Sequence, residues 1–324
     1  MRAVLCKELG MPDSLVLEEV PSLTPGAGQV LISVQACGVN FPDTLIIQGK
    51  YQYKPDLPFS PGGEISGVVK QVGSDVDSLQ IGDRVIAFST WGGFAEELVV
   101  DQNRTVIISD KMDYERASAF VLTYGTSYHA LKDRAHLREG ETLLVLGASG
   151  GVGLSAIQLG KAMGAKVIAA ASNAEKLSVC QENGADHLIN YAQDDLRQSV
   201  KEITEGRGVD VIYDPVGGSF SEPALRAIAW EGRFLVIGFA AGDIPKPPLN
   251  LALLKGCQII GVFWGAWTAM FPDENEKNFQ ELFELYAAGK INPEIADRFP
   301  LKDAGQAIAH LKDRKAKGKV IIDV

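Results

Sequence analysis

Two patterns of apolar and polar residues divide the chain. From residue 1 to about 124, short β-prone runs such as QVLISVQACGV and GDRVIAF are separated by Gly or Pro at intervals of about ten positions. Runs punctuated in this way are typical of antiparallel β structure. Dense glycines in PGGEISG and WGGFAE suit tight corners, because Gly adopts a positive φ without strain. We therefore predict a small β-barrel or sandwich in this part of the chain.

From about 125 to 264 the pattern changes to alternating strands and helices. Apolar segments such as TLLVLG, KVIAAAS and VDVIYDPVG alternate with helical segments such as NAEKLSVCQENG and DDLRQSVKEITEG. Strands that are apolar throughout are typical of a parallel sheet covered by helices on both faces. The six strand segments in this region predict an α/β fold with the doubly wound, dinucleotide-binding architecture.

The last part of the chain is mixed again. In NFQELFELYAAGKI, the residues Phe279, Leu282, Phe283 and Tyr286 share one face of an amphipathic helix. A second helix, DAGQAIAHLKDRKAKG, precedes the closing strand KVIIDV. We assign this strand to the sheet begun by the N-terminal part. The predicted first domain is therefore discontinuous, with residues 1–124 and 265–324 around an inserted nucleotide-binding domain at 125–264.

Composition narrows the class of protein. The 324 residues are 46% hydrophobic and 22% charged, which is typical of a globular chain. The formal charge, 31 Lys and Arg minus 41 Asp and Glu, is −10, and this acidic balance argues against a nucleic-acid partner. The four cysteines form no C-x-x-C pair, MRAVLCKELG does not resemble a secretory signal, and no apolar run of about 18 residues is present. These features predict a cytoplasmic protein without a membrane segment.

The strongest motif is a glycine-rich turn between the predicted strand TLLVLG and the following helix. Gly147, Gly150 and Gly153 have the spacing G-x-x-G-x-x-G, a variant of the dinucleotide-binding fingerprint. A pyrophosphate needs such a turn, because the backbone must approach it without a Cβ and the N–H groups at the helix start must bind it. An ordinary strand-to-helix turn is the alternative. The next strand, KVIAAAS, supplies the context that the fingerprint requires.

The end of that second strand indicates which dinucleotide is bound. NAD-binding proteins place Asp or Glu there to accept a hydrogen bond from the ribose 2′-hydroxyl. This chain has Ala171, Ser172 and Asn173, followed by Lys176 in the next helix. Hydroxyl and amide donors beside a cation accommodate a 2′-phosphate, so we predict NADP(H) as the cofactor. Ser172 is alternatively the N-cap of the helix, a role compatible with cofactor binding.

Several segments together resemble one protein family. They are ACGVNFPD, YQYKPDLPFSPGGEISGVV, GDRV, LTYGTSYHAL, LGASGGVG and GKVIIDV. Spread over almost the whole chain, they resemble the zinc-independent branch of the medium-chain dehydrogenase/reductase superfamily, and within it the NADPH:quinone oxidoreductases, or zeta-crystallin-like reductases. The resemblance implies a GroES-like β-barrel catalytic domain packed on a Rossmann domain, with the active site in the cleft between them.

The chain departs from the zinc-dependent members of that superfamily at each ligand position. Asn40 stands where they have Cys, Gly63-Glu64 replaces their His-Glu, and Leu122 lies near their third ligand. A catalytic zinc needs three protein ligands, and Glu64 alone does not supply them, so no metal is expected. The four histidines, at positions 129, 136, 187 and 310, are scattered and are expected to have surface or structural roles.

The resemblance also implies which residues contact the cofactor. The backbone of Gly150, Gly151 and Val152 would bind the pyrophosphate. Ser172, Lys176 and Tyr191 would surround the 2′-phosphate. The other implied contacts are Asn40, Thr126, Asn173, Gly238, Phe239, Phe263, Trp264, Gly265, Gly318 and Lys319. For Phe263 and Trp264 the alternative is a place in the core, and for Tyr191 it is a strand-end aromatic.

Without a metal, the expected chemistry is hydride transfer from NADPH to an electron-poor π-system. Negative charge then develops on an oxygen, which needs a hydrogen-bond donor. The candidate catalytic residues are Asn40, Tyr51 and Thr126. Their alternatives are a turn residue, a half-buried aromatic, and the N-cap of a helix that starts at the domain junction. Asp43 is expected to hold a loop.

The acceptor and the assembly are the least constrained features. A quinone is our first interpretation, and a 2-enoyl thioester or alkenal is the alternative enone substrate. A third hypothesis is a non-catalytic NADPH-binding protein, structural or RNA-binding, although the acidic charge disfavours RNA. The apolar run from Leu249 to Trp267 is suited to pairing with a second copy, so by resemblance we expect a homodimer.

Overall fold

The structure is a computed structural model that describes residues 1–324. Its strands are β1 (Arg2–Leu5), β2 (Val16–Glu19), β3 (Gln29–Val39), β4 (Glu64–Val72), β5 (Arg84–Phe88), β6 (Glu97–Asp101), β7 (Thr105–Ile107), β8 (Thr142–Leu146), β9 (Lys166–Ala171), β10 (His187–Asn190), β11 (Val209–Asp214), β12 (Ile228–Val236), β13 (Gln258–Gly261), β14 (Ile295–Pro300) and β15 (Lys319–Asp323). Its helices are α1 (Phe41–Ile46), α2 (Tyr114–Ser118), α3 (Val121–Tyr128), α4 (Gly151–Ala162), α5 (Ala174–Glu182), α6 (Leu196–Ile203), α7 (Ser221–Arg226), α8 (Asn250–Lys255), α9 (Trp264–Met270), α10 (Pro272–Ala287) and α11 (Ala304–Lys312).

The chain divides into two compact units. Met1–Leu122 and Pro293–Val324 form the first, and Thr123–Asn292 forms the second. The second unit therefore extends past the boundary at 264 that the sequence suggested. Side-chain contacts hold α9 and α10 to it: His129 stacks on Trp267 of α9 at 4.1 Å, and Lys132 Nζ donates to Asn278 Oδ1 of α10 at 3.0 Å. An amphipathic face predicts that a helix is packed but not which domain it packs against, and this explains the difference.

The first unit is built on a seven-stranded sheet. Its order is β14-β15-β3-β4-β5-β7, and β6 also pairs with β3. The closing strand β15 pairs antiparallel with β3, with Val320 opposite Val39. The long strand β3 pairs with β15, β4 and β6. Its side chains Val30 and Ile32 are fully buried in the core of this unit.

The second unit contains the predicted doubly wound sheet. Its order is β10-β9-β8-β11-β12-β13, and every adjacent pair is parallel. The residues of β8 from Leu143 to Leu146 are fully buried, as the uninterrupted apolar run predicts. Each such leucine or valine stabilises the fold by about 1.5–3 kcal/mol relative to an exposed position. The strand order reverses between β8 and β11, which is where this architecture binds ligands.

Helix α10 also follows its predicted pattern. Phe279 and Leu282 are buried, and Phe283 and Tyr286 on the same face are partly covered. None of the helices in the structure combines the length and the apolar composition needed to cross a membrane.

Candidate active site

The glycine-rich turn joins β8 to α4 at the reversal point of the second sheet. Gly147 has φ +56°, and a Cβ on Gly153 would lie 2.6 Å from the carbonyl oxygens of Gly147 and Ala148. Backbone geometry therefore demands glycine at both positions. Gly150 is different, because it has φ −79° and its Cβ would meet only the Gly147 oxygen, at 3.5 Å. The fold itself does not exclude a side chain at residue 150.

Helix α4 begins at Gly151 with no side-chain cap. The N–H groups of its first turn have no acceptor within the helix and are a binding site for an anion. The N–H of Gly150 donates to the Gly147 carbonyl at 3.1 Å, so it is used inside the turn rather than offered to a phosphate. Gly151 and Val152 are left to bind one. This arrangement fits the pyrophosphate of a dinucleotide, and the space above Gly150 lets it approach.

The end of β9 carries the residues expected near a 2′-phosphate. The side chain of Asn173, and not that of Ser172, caps α5: its Oδ1 accepts the N–H of Lys176 at 2.9 Å. Ser172 and Lys176 are half-buried beside it. The N–H of Tyr191 donates to the carbonyl of Ala171 at 3.1 Å, which brings Tyr191 to the same edge of the sheet. No carboxylate occupies positions 171–173.

The aromatic residues expected around the nicotinamide lie in different environments. Strand β13 ends at Gly261, so Phe263 lies between it and α9, and Trp264 and Gly265 are the first residues of that helix. The Phe263 side chain is half-exposed, whereas Trp264 is buried. The Trp264 indole N–H donates to Asn275 Oδ1 at 3.2 Å, the environment of a core residue.

Two further predicted positions follow the fifth strand of this sheet, and a third lies in α3. Gly238 and Phe239 come after β12, and both are partly covered. Thr126 was expected to start a helix, but α3 begins five residues earlier, at Val121. Thr126 is therefore near the end of α3, where it is half-buried and has no capping role. Its neighbour Gly125 is fixed by packing, since a Cβ there would lie 2.7 Å from the Trp264 ring.

In the first unit, Asn40 sits at the centre of a buried polar cluster. It follows β3, and its Nδ2 donates to the Gly38 carbonyl at 3.1 Å and to Glu64 Oε2 at 2.9 Å. Its Oδ1 accepts a hydrogen bond from Lys319 Nζ at 2.8 Å. Both amide hydrogens are thus used within the protein, and none remains for a substrate oxygen. The structure does not support Asn40 as the hydrogen-bond donor to substrate.

The partners of Asn40 were not recognised as a pair in the sequence. Lys319 Nζ also lies 2.9 Å from Glu64 Oε2, and both side chains are buried. Glu64 Oε1 accepts the backbone N–H of Leu122 at 2.8 Å. Lys319 was expected to contact the cofactor, but its ammonium points to Asn40 and Glu64. Gly318, also predicted to contact the cofactor, has φ +138°, and the backbone there requires glycine.

Asp43 holds the loop that contains Asn40, as expected. Its two carboxylate oxygens accept the N–H groups of Asn40 at 2.7 Å and Gly62 at 3.1 Å. Burial raises the pKa of Asp43 from 3.8 to about 7, although these hydrogen bonds act in the opposite direction. The side chain therefore changes its protonation state near neutral pH.

Tyr51 is the remaining predicted catalytic residue. Its half-buried ring lies 5.9 Å from that of Tyr53 and packs on the core of the first unit. Burial raises the pKa of Tyr51, and Tyr53 and Asp43 act in the same direction, so the phenol keeps its proton at neutral pH. It can donate a hydrogen bond throughout the physiological range.

Two of the four histidines pair with aspartates. No group of three or more His, Cys, Asp or Glu side chains is placed to hold an ion. His129 is buried, stacks on Trp267 at 4.1 Å and pairs with Asp133, and His310 pairs with Asp297. These contacts are structural.

Comparison with known proteins identifies the family. A family model described as "Alcohol dehydrogenase GroES-like domain" matches residues 26–110, and one described as "Zinc-binding dehydrogenase" matches residues 151–286. A quinone oxidoreductase-like protein 2 homolog of Nematostella vectensis is 42% identical over 326 residues, covering 99% of this chain and 88% of the relative. Quinone oxidoreductase-like protein 2 of Bos taurus is 38% identical, covering 100% of this chain and 92% of the relative.

Solved structures agree with this result. The crystal structure of Escherichia coli quinone oxidoreductase complexed with NADPH matches with a TM-score of 0.93 at 30% identity, covering 100% of both chains. The predicted resemblance and the two-part α/β fold are thereby confirmed. The chain belongs to the medium-chain dehydrogenase/reductase superfamily, and its relatives place it in the quinone oxidoreductase-like group.

Proposed function

We propose that this oxidoreductase transfers hydride from NADPH to a quinone. The observation that carries the proposal is the turn at Gly150. The fold leaves room for a side chain at this position, yet the residue is glycine, and the helix that starts next to it has no side-chain cap. A bound pyrophosphate explains both features. Relatives named quinone oxidoreductase-like protein 2, at 38–42% identity, support the choice of acceptor.

NADP(H) rather than NAD(H) is supported by the end of β9. Ser172 is half-buried there, Lys176 lies in the first turn of α5, and positions 171–173 carry no acidic residue. Tyr191 lies at the same edge, with its ring 4.5 Å from Phe220. A cation and a hydroxyl are suitable partners for this dianion, whereas a carboxylate at position 172 would exclude it.

In the proposed mechanism, bound NADPH supplies the hydride and the chain positions the reactants. The N–H groups of Gly151 and Val152 hold the pyrophosphate. The hydroxyl of Tyr51, which retains its proton, donates to the acceptor oxygen where negative charge develops, and Thr126 is the second hydroxyl proposed for this role. Asn40 acts as a fixed group whose side-chain oxygen accepts a hydrogen bond from Lys319.

A single assay tests the proposal. NADPH and NADH oxidation is followed with a panel of quinones, 2-alkenals and enoyl-CoA thioesters. We expect turnover with quinones and a preference for NADPH. Higher kcat/KM for alkenals or enoyl thioesters would assign the enzyme to the alternative class. NADPH binding without turnover on any acceptor would make it a non-catalytic binding protein.

We further propose that a second copy of the chain covers the free edge of β13. This strand ends the second sheet, so its outer backbone groups are unpaired. Large apolar side chains are exposed around it: Trp230, Leu249, Leu253, Leu254 and Ile259. Antiparallel pairing of two β13 strands satisfies the same groups in both copies.

Light scattering tests this dimer. The wild type should give twice the 34.8 kDa chain mass, and Leu253→Glu should halve the measured mass. A monomeric wild type would exclude this dimer.

The cysteines support a reducing compartment. All four are unpaired, and three of them are buried. We therefore propose the cytoplasm, where thiols are kept reduced.

A further inference from the structure

The pairing of Lys319 with Glu64 is the most deeply buried ion pair in the protein. Lys319 is 4% exposed and Glu64 is fully buried. Removing two such charges from water is unfavourable unless the geometry is good and the remaining polar atoms are bonded. Both conditions are met, because the ammonium lies 2.9 Å from Glu64 and the second carboxylate oxygen accepts a backbone N–H.

The same two charges hold the amide of Asn40 from both sides. The ammonium of Lys319 donates to its oxygen, and the carboxylate of Glu64 accepts from its nitrogen. A flipped amide would put its NH2 against the ammonium and its oxygen against the carboxylate. Two repulsive contacts would replace two charge-assisted hydrogen bonds, so chemistry selects a single orientation.

Packing keeps Lys319 in this position. A Cβ on Gly38 would lie 2.9 Å from the ammonium nitrogen and 3.0 Å from Glu64 Oε2. The absence of a side chain at residue 38 therefore makes room for the pair. The ammonium is enclosed by Asn40, Glu64 and Gly38. A lysine that binds a phosphate must instead keep its ammonium accessible to the ligand.

We propose that Lys319 is a positioning residue, which acts on the reaction through Asn40 and does not bind the cofactor directly. Together with Glu64 it fixes the Asn40 amide, so that the side-chain oxygen is presented in one orientation. This inference rests on the proposed hydride transfer for its kinetic readout. The anchoring of Asn40 is also observable without turnover.

The test compares Lys319→Met with Glu64→Gln/Lys319→Met. Lys315→Met is the matched control, since Lys315 is an exposed lysine of the same segment. For each protein we measure the thermal midpoint, the Kd of NADPH by fluorescence, kcat, and the isotope effect with NADPH deuterated at C4. We expect Lys319→Met to lower kcat by about tenfold or more and to raise the isotope effect, with the Kd of NADPH changed by less than about threefold.

The double variant separates positioning from stability. Lys319→Met leaves the charge of Glu64 buried and unpaired, which destabilises the fold. Glu64→Gln/Lys319→Met removes both charges, so its thermal midpoint should return most of the way to that of the wild type. Its kcat should stay low, because the Asn40 oxygen still has no ammonium partner. If kcat of the double variant recovers together with its thermal midpoint, the role of Lys319 is structural. If Lys319→Met loses only NADPH affinity, Lys319 is a cofactor contact.

A measurement on the wild type tests the proposal even if the variants fail to fold. With 15N-labelled asparagine, the side-chain amide of Asn40 should show slow hydrogen exchange, because both hydrogens are bonded inside the protein. Fast exchange would overturn the proposal. Slow exchange supports the anchoring even if the acceptor panel shows no turnover, an outcome that would refute the proposed function alone.

Discussion

The carboxylate of Asp43 accepts the backbone N–H of Asn40 at 2.7 Å, closing the turn that carries the buried amide. The pKa of Asp43 is about 7 in this environment, against 3.8 for a solvated carboxyl. The folded state therefore holds a proton between those values that the unfolded state releases. The stability that this proton contributes is fully present below about pH 3.8 and is lost as the pH rises through 7.

Asp43→Asn tests this linkage. The variant cannot ionise, so the stability advantage of the wild type over Asp43→Asn should shrink as the pH rises from 5 to 8. One backbone N–H also loses its acceptor, so the variant should be less stable by about 1–3 kcal/mol at pH 5. Urea unfolding at several pH values measures both effects. Exposed Asp56→Asn is the control and should show a flat difference. A flat difference for Asp43→Asn as well would contradict the raised pKa.

Gly150→Ala should separate cofactor binding from folding. The φ of −79° suits alanine, and the new Cβ meets no atom of the chain closer than 3.5 Å, so stability should change by less than about 0.5 kcal/mol. The methyl group occupies the space proposed for the pyrophosphate, so the Kd of NADPH should rise by at least about tenfold.

Gly153→Ala is the matched control for this experiment. Its Cβ would lie 2.6 Å from two carbonyl oxygens, so this variant should lose about 1–3 kcal/mol of stability. Normal NADPH affinity in Gly150→Ala would show that the turn does not contact the cofactor.

Lys176→Ala should raise the KM for NADPH by about tenfold, with little change for NADH, because only the former carries a 2′-phosphate. Steady-state kinetics with both cofactors measures the effect. Lys277→Ala, which changes an exposed lysine in α10, should leave both values unaltered. Equal losses with NADPH and NADH would refute the role assigned to Lys176.

Tyr51→Phe removes the hydroxyl and keeps the ring that packs on the core. The phenol is proposed to donate to the developing oxyanion, so kcat should fall by about tenfold to a hundredfold while the Kd of NADPH is unchanged. Tyr53→Phe, at an exposed neighbouring ring, is the control. Unchanged turnover in Tyr51→Phe would leave Thr126 as the proposed donor.

The second sheet was predictable because its strands are buried on both faces. The uninterrupted apolar run of β8 and the glycines at 147 and 153 are local signals, and the structure agrees with both. The start of α3 was not predictable in the same way. Val121 begins it within an apolar stretch, and Phe120 before it has no side-chain oxygen; the first-turn N–H of Leu122 is accepted by the distant Glu64 instead. Thr126 has the side chain of a typical N-cap but lies inside the helix.

The environment of Asn40 depended on contacts that no local pattern contains. Lys319 lies 255 residues from Glu64 in the sequence, so spacing gives no indication of their pairing. One signal was present: Glu64 follows two glycines and starts a strand of buried residues. A carboxylate placed there needs a cationic partner, but the neighbours of β4 are β3 and β5, and Lys319 lies on β15 on the far side of β3. The pairing therefore depends on the order of the strands, which the local sequence does not contain.

The route of the chain through the first unit also constrains its synthesis. Asn40 is made 279 residues before Lys319, with the whole second unit between them. Until β15 emerges from the ribosome, Glu64 has no counter-ion, and β3 lacks one of its neighbours. The whole second unit is therefore synthesised before β15 can complete the polar cluster of the first unit.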